Sequence, residues 1–401
     1  METDDVIEGL CSSIRQYGQV SWKLDDIITT GDVQKVVASS LPEVMDHYLD
    51  VISKASREIC IATAYYDRTS RAAQMFVDQL KSLDRSLYHQ ADVMILLDCG
   101  SIRHLMSNRV SIHPSRLWIP TFKNLSVRVV SYHDVPLGTM HAKFMVVDRR
   151  VAIISSNNIQ DRPNLELSVE LHGNVASKIH NLFKQLWQHS KASIEIPSLA
   201  VDAGTDYKTV ILAYRKAFGG FFERFASPQN VAWQWIIQHA RANVFVQTPN
   251  LNARVLIRLL IEACKRGVVV TLYLTLGFND RKENLPFQGG TNLDNVKRIF
   301  RDLGSEHRHN LHVHWYTAKG APGPQRGVHS HVKFMSADDN VAMLGNANFD
   351  NLSVYHSMEV NLVCFGRETV SRLKESLVSA QDTHLYAFPN NRLRKGPPIA
   401  R

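Results

Sequence analysis

Two stretches of the chain, MHAKFMVVDRR from Met140 and SHVKFMSADDN from Ser330, carry histidine, lysine and aspartate at one spacing. His141, Lys143 and Asp148 recur as His331, Lys333 and Asp338, each 190 residues later. On an extended strand residues i and i+2 share a face, so each histidine points the same way as its lysine. An ammonium buried among apolar residues costs several kcal/mol unless an anion accompanies it. A chain that does this twice must bring an anion to both places, and a phosphate held by both lysines would serve.

The flanks repeat as well. REICIATAYYD (57–67) leads into the amphipathic SRAAQMFVDQLKSL, then into the strands ADVMILLDCG and LSVRVVSYHD, and then into the first motif. RANVFVQTPNL (241–251) leads into ARVLIRLLIEACKRG, VVVTLYLTLG, LHVHWYTAKG and the second motif. The expected order is strand, helix, strand, helix, strand, strand in both halves. Apolar runs alternating with amphipathic stretches predict an α/β fold around a largely parallel sheet. We therefore expect two similar α/β sandwich lobes with pseudo-twofold symmetry: residues 1–200 and 226–388, joined by a connector at 201–225 and ending in a basic tail at 389–401.

Six residues after each aspartate comes a polar turn, SSNN (155–158) in the first half and GNAN (345–348) in the second. Asn158 and Asn348 stand at matching offsets. Further on, SVEL and SMEV put Glu170 and Glu359 on what should be equivalent strands. One such motif arises easily by chance, but two with matched strands, asparagines and glutamates do not.

This doubled HxKxxxxD pattern with GSxN-like turns closely resembles the phospholipase D superfamily, over roughly residues 53–365. The resemblance implies one active site between two lobes, with a histidine from each. One histidine attacks phosphorus to form a phosphohistidine; the other protonates the leaving oxygen and then activates water or an alcohol. It implies no metal or other cofactor, with Lys143, Lys333, Asn158 and Asn348 holding the phosphoryl oxygens, and Glu170 and Glu359 orienting imidazoles. By analogy His141 is the nucleophile and His331 the acid/base. Asp148 and Asp338 are expected to be structural, as salt bridges or turn caps, with Ser156 part of the turn motif. Ser155 stands where the family has glycine, and Asn346 where it has serine or threonine.

Imidazole suits either role near neutral pH. The net charge of +8 favours a polyanionic partner, nucleic acid or anionic lipid. The N-terminal METDDVIEGL is unlike a secretory signal, and GVVVTLYLTLG is too short to span a bilayer. Five scattered cysteines predict buried thiols in a reducing compartment. The expectation is an intracellular monomer, cytoplasmic or peripheral to a membrane, with little chain before the first lobe.

Other features carry weaker signals. HRHNLHVH (307–314) and His329 have a spacing that can bind zinc. LPFQGGTN (285–292), Asn250, Tyr65 and Tyr66 sit where loops of parallel sheets meet ligands. AFGGFFERF (217–225) and WQWII (233–237) suit either inter-lobe burial or a lipid-touching lip, and the tail NNRLRKGPPIAR is expected to be disordered. The functional expectation is a phosphodiesterase or phosphatidyltransferase acting on a phospholipid, with an alcohol as one acceptor. The alternatives are a nuclease of the same superfamily or a catalytically silent membrane-associated scaffold.

Overall fold

The computed structural model describes residues 2–17, 24–99, 102–187, 207–221, 226–283, 288–325 and 327–389. Both ends of the connector (201–206 and 222–225), part of AFGGFFERF, the start of LPFQGGTN and the basic tail from 390 lie outside these residues.

The first lobe opens with α1 (Thr3–Tyr17), β1 (Ile28–Ser39) and α2 (Leu41–Ser53). Strand β2 (Glu58–Thr63) leads through α3 (Arg71–Ser86) to β3 (Ala91–Leu97), then to β4 (Arg109–Ile112) and β5 (Leu125–Asp134). After β6 (Gly138–Thr139) come β7 (Phe144–Val147), β8 (Val151–Ser155), β9 (Asn164–His172) and α4 (Asn174–Trp187).

The second lobe repeats the plan: β10 (Lys208–Arg215), α5 (Pro228–His239), β11 (Asn243–Thr248), α6 (Arg254–Lys265) and β12 (Val269–Leu274). Helices α7 (Asp280–Glu283) and α8 (Asn292–His307) precede β13 (Leu311–Trp315) and β14 (His329–Ser330). The chain ends through β15 (Phe334–Ala337), β16 (Val341–Gly345), α9 (Asn351–Tyr355), β17 (Glu359–Phe365), α10 (Arg367–Ser379) and β18 (Ala387–Phe388).

Strand neighbours in the first lobe run β4–β5–β3–β2–β7–β8–β9–β1. In the second they run β10–β17–β16–β15–β11–β12–β13–β18. The start of β1 pairs antiparallel with β10, joining the two sheets. Three expectations need correction. Within the two sheets, among the described residues, β2, β3 and β5, and β11, β12 and β13, are the mutually parallel strands, so each sheet is mixed: the motif strands return through tight hairpins, which only antiparallel pairs allow. The first lobe also lacks the second crossover helix, since 3-10 turns and β4 fill that interval. Moreover, the presumed connector contains β10, an inner strand that is the counterpart of β1.

Helix starts follow local chemistry. Ser70 caps α3 by accepting from Ala73 N–H, and Thr291 with Asp294 forms a reciprocal capping box on α8. One apolar core runs through both lobes, with Leu165, Leu167 and Val169 of β9 in the same cluster as Val360 and Leu362 of β17. Trp233 and Trp235 of α5 belong to it, so WQWII is buried, whereas Phe221 is exposed. Four cysteines are buried; Cys99, after β3, is exposed, because its strand has already ended. No described helix is long and apolar enough to cross a membrane.

The motif aspartates occupy turns. Asp148 and Arg149, like Asp338 and Asp339, have positive φ (49°, 60°, 51° and 49°), a region that Asp tolerates better than most residues. Asp148 accepts from the N–H groups of Ser56, Arg57 and Glu58 and from Ser56 Oγ, at 2.7–2.8 Å. Asp338 accepts from the N–H groups of Arg241, Ala242 and Asn243 at 2.7–3.2 Å. Each carboxylate thus ties the hairpin that follows the motif to the start of the first parallel strand. Asp148→Ala, which strips partners from these amides, should destabilise the protein by about 2–4 kcal/mol, seen as a lower denaturation midpoint in urea.

Candidate functional site

Each His-x-Lys triplet sits in an extended segment just ahead of a hairpin and is held by a strand of the opposite lobe. Met140 bridges Met358 in parallel, and His141 N–H donates to Met358 O at 3.1 Å. In the other lobe β14 pairs in parallel with β9, and His331 N–H donates to Leu165 O at 2.8 Å. These pairings carry each histidine to a glutamate it does not share a lobe with. His141 Nδ1 lies 2.9 and 3.0 Å from the carboxylate oxygens of Glu359. His331 Nδ1 lies 3.1 and 3.0 Å from those of Glu166.

Glu166 is not the residue expected. Glu170 bonds His47 Nε2 at 3.1 Å and His172 Nε2 at 2.8 Å and touches neither motif histidine. Both glutamates are on β9 and, four residues apart, share a face about 13 Å from one another along the strand. Eight residues separate Asn158 from Glu166 and eleven separate Asn348 from Glu359, because α9 is inserted in the second lobe. Aligning the halves without that insertion carries Glu359 to position 169, next to Glu170 and three residues past Glu166. Strand parity cannot tell the two apart; only the register of β14 on β9 does.

Each glutamate is fixed in turn by a serine. Ser156 Oγ donates to Glu166 Oε2 at 2.5 Å, and Ser353 Oγ to Glu359 Oε1 at 2.7 Å. Asn346 occupies the position equivalent to Ser156 but clamps the other lobe, accepting from Lys143 N–H and donating to Lys143 O and Ser155 O. Ser353, from the inserted helix, takes over the contact Asn346 cannot make. Gly345 has φ 154°, and a Cβ there would lie 2.4 Å from Val360 O, so this turn needs glycine. The equivalent Ser155 is buried at an ordinary φ and bonds Lys143 O through its N–H, so the first turn needs none.

Lys143 and Lys333 are buried, each Nζ donating to the carbonyl of its own motif histidine at 2.5 Å. Asn348 Nδ2 donates to Asp350 Oδ2 at 2.8 Å, while Asn158 Oδ1 and Asn348 Oδ1 are buried without a partner. Phe278 packs near His331 and His329, with ring centroids 5.9 and 5.2 Å away.

The sequence model described as "Cardiolipin synthase, PLD-like domain" matches residues 48–187 and 235–379. The chain belongs to this family. No curated protein sequence matches it. Among solved structures, this PLD-like chain is similar to the phosphatidylserine synthase of Haemophilus influenzae Rd KW20: 12% identity, TM-score 0.63, covering 95% of this chain and 91% of that one. It is also similar to the polyphosphate kinase of Porphyromonas gingivalis: 13% identity, TM-score 0.52, covering 86% of this chain and 47% of that one. At these identities the likeness is one of fold.

The electrostatics of the PLD-like site come from burial. Desolvation pushes His331 down to about 4, and it lowers His141, in both cases against the pull of the partner carboxylate. Lys143 is pushed down to about 8 by burial, and burial also holds Lys333 well below the usual lysine range. Glu166 falls to about 2 despite its burial, because His331, Lys333 and Ser156 favour its anion; Glu359 is lowered in the same way by His141, Lys143 and Ser353. Lys333 acts on His141 and Lys143 on His331, so the two motifs form one electrostatic cluster. With ionised glutamates on Nδ1, the neutral imidazoles hold their proton there and keep a lone pair on Nε2.

Two outcomes follow. Glu166→Gln should lower turnover by about 10–100-fold, and Glu170→Gln by no more than about threefold, in side-by-side steady-state assays. A lysine loses its charge above its pKa, so kcat/KM should begin to fall near pH 8 rather than near 10; a plateau extending to pH 10 would refute a role for the lysine charges.

Proposed function

We propose that the protein is a phosphodiesterase or phosphatidyltransferase that cleaves or exchanges a phospholipid headgroup ester through a phosphohistidine, without a metal. One observation carries this reading. Two histidines, each with Nδ1 on a buried carboxylate of the other lobe, share a cluster with two buried lysines. Membership of a family described as cardiolipin synthase-like supports a phospholipid, as does a fold shared with a phosphatidylserine synthase.

In the proposed sequence Nε2 of His141 attacks phosphorus, the bond from phosphorus to the headgroup oxygen breaks, and His331 gives that oxygen a proton. Neutral His331 then takes a proton from water or an alcohol, whose oxygen attacks phosphorus and releases His141. His141 is the more accessible of the two, its side chain 22% exposed against 9% for His331, which suits it to meet the incoming phosphorus. Lys143 and Lys333, with the amide groups of Asn158 and Asn348, hold the non-bridging oxygens as charge develops on them. The phosphodiester charge raises the pKa of the neighbouring imidazoles, so His331 gains its proton together with substrate. Asp148 and Asp338 take no part in this chemistry.

The test incubates purified protein, each time with EDTA, with phosphatidylcholine, with phosphatidylglycerol plus an acceptor alcohol, or with single-stranded DNA. Headgroup release or exchange is expected, and His141→Ala and His331→Ala should each reduce it by about 1,000-fold or more. Mass spectrometry of acid-sparing quenches should find the phosphatidyl adduct on the peptide containing His141. DNA cleavage without lipid turnover would replace this reading with the nuclease, and loss of activity in EDTA would overturn the metal-free mechanism.

A further inference from the structure

Beside Asn158, three loops of the first lobe are laced into one rim. Ile159 N–H donates to Tyr65 O at 3.3 Å and Asp67 N–H to Ile159 O at 2.8 Å, so the loop after β2 lies against the loop after β8. Arg68 Nη1 donates to Arg116 O at 3.2 Å, drawing in the 3-10 turn Pro114–Leu117. Arg71 N–H donates to Asp161 Oδ2 at 2.6 Å, and the next residue, Arg162, acts electrostatically on His329, two positions before His331. The rim thus adjoins Asn158 in the chain and brings the charge of Arg162 near the second motif.

Basic and aromatic side chains are prominent on its exposed face. Arg68, Arg71, Arg116 and Arg162 are all exposed, as are Tyr65 (51%) and Trp118 (57%). The local carboxylates are turned onto the protein's own donors, Asp67 onto Thr69 and Asp161 onto the N–H groups of Arg71 and Ala72. Four arginines against these two aspartates leave an excess of two positive charges. Trp118 has φ 59° and ψ 25°, a left-handed conformation that bulky residues avoid, with the Arg68 guanidinium 5.2 Å from its ring centroid. Backbone of this kind persists where surrounding structure enforces it, often at ligand clamps.

The repeat does not generate this surface. The second-lobe counterpart of Tyr65 is Asn250, which is buried, and the adjoining Leu251 N–H is occupied by Asn292 Oδ1. The shared scaffold is intact, because Thr63 Oγ1 donates to Tyr65 O as Thr248 Oγ1 does to Asn250 O. The helix that follows opens on an exposed arginine in both lobes, Arg71 and Arg254, but of the two loops after the paired threonines only the first carries an exposed aromatic, Tyr65.

We propose that this rim docks the protein on an anionic phospholipid surface. Trp118 and Tyr65 sit at headgroup level, where an amphipathic ring has one apolar side and one wet edge. The arginines meet lipid phosphates, which their planar forks match in geometry and charge. The proposal rests on the phospholipid reading above and adds to it the surface that presents the substrate to the site.

The test uses the full chain carrying His141→Ala, so that vesicles are not consumed during binding. Sedimentation with vesicles of phosphatidylglycerol and phosphatidylcholine is compared with vesicles of phosphatidylcholine alone. Binding should need the anionic lipid and weaken with salt, and Arg68→Gln with Arg116→Gln should reduce it by about tenfold or more. A blue shift of tryptophan emission on adding anionic vesicles should be lost in Trp118→Phe. Equal binding to both vesicle types overturns the proposal, as does undiminished binding by the double variant. So does single-stranded DNA bound through these arginines in place of vesicles. Turnover of a short-chain phospholipid below its micelle concentration by the wild-type protein separates the two readings. Turnover without rim-dependent vesicle binding sinks the surface alone, and rim-dependent binding without turnover sinks the chemistry alone.

Discussion

The structure depends on an exchange of carboxylates between lobes. His141 of the first lobe is held by Glu359 of the second, and His331 of the second by Glu166 of the first. All four groups are buried or nearly so, together with Lys143 and Lys333. Two glutamate anions face two lysines whose charge burial disfavours, around imidazoles that burial keeps neutral. Neither lobe alone contains a complete set: separated, each would leave a carboxylate facing no imidazole, and the cost of an uncompensated buried charge is severe. The same contacts that orient the histidines therefore hold the halves in register.

The pseudo-symmetry is close where backbone geometry is at stake and loose where side chains reach across. Both hairpin turns use an aspartate in the left-handed region to cap the first parallel strand. Both lysines bond their histidine's carbonyl, and both turns return an N–H to the lysine carbonyl. The support of the glutamates differs, Ser156 in one half and Ser353 in the other, because Asn346 has been diverted to clamp Lys143. The rim diverges most, with exposed Tyr65 on one side and buried Asn250 on the other. A duplicated frame can thus hold one central cluster while its two edges face different surroundings.

Much of this was legible in the sequence for a physical reason. The histidine, lysine, aspartate and asparagine positions lie within one hairpin and its turn, where a period of two and a fixed turn length leave little freedom. The missing crossover helix and the antiparallel motif strands were less legible, since a short apolar run looks the same in either direction. Strand β10 escaped because the chain before it has the composition of a linker, although Val210, Ile211 and Leu212 are buried.

By itself the sequence determined the two-lobed α/β plan, the paired His and Lys residues and the turns that follow them, because these rest on local spacing and were present twice. Which glutamate serves His331 was decided only by tertiary structure. Glu166 and Glu170 share a strand face, and the choice falls to the register in which a two-residue strand from the other lobe lies down. The depressed pKa values belong to tertiary structure as well, since they come from the burial that both lobes create together. The rim that holds Trp118 and its arginines forms for the same kind of reason: three loops far apart in the chain meet there, held by hydrogen bonds that no spacing encodes.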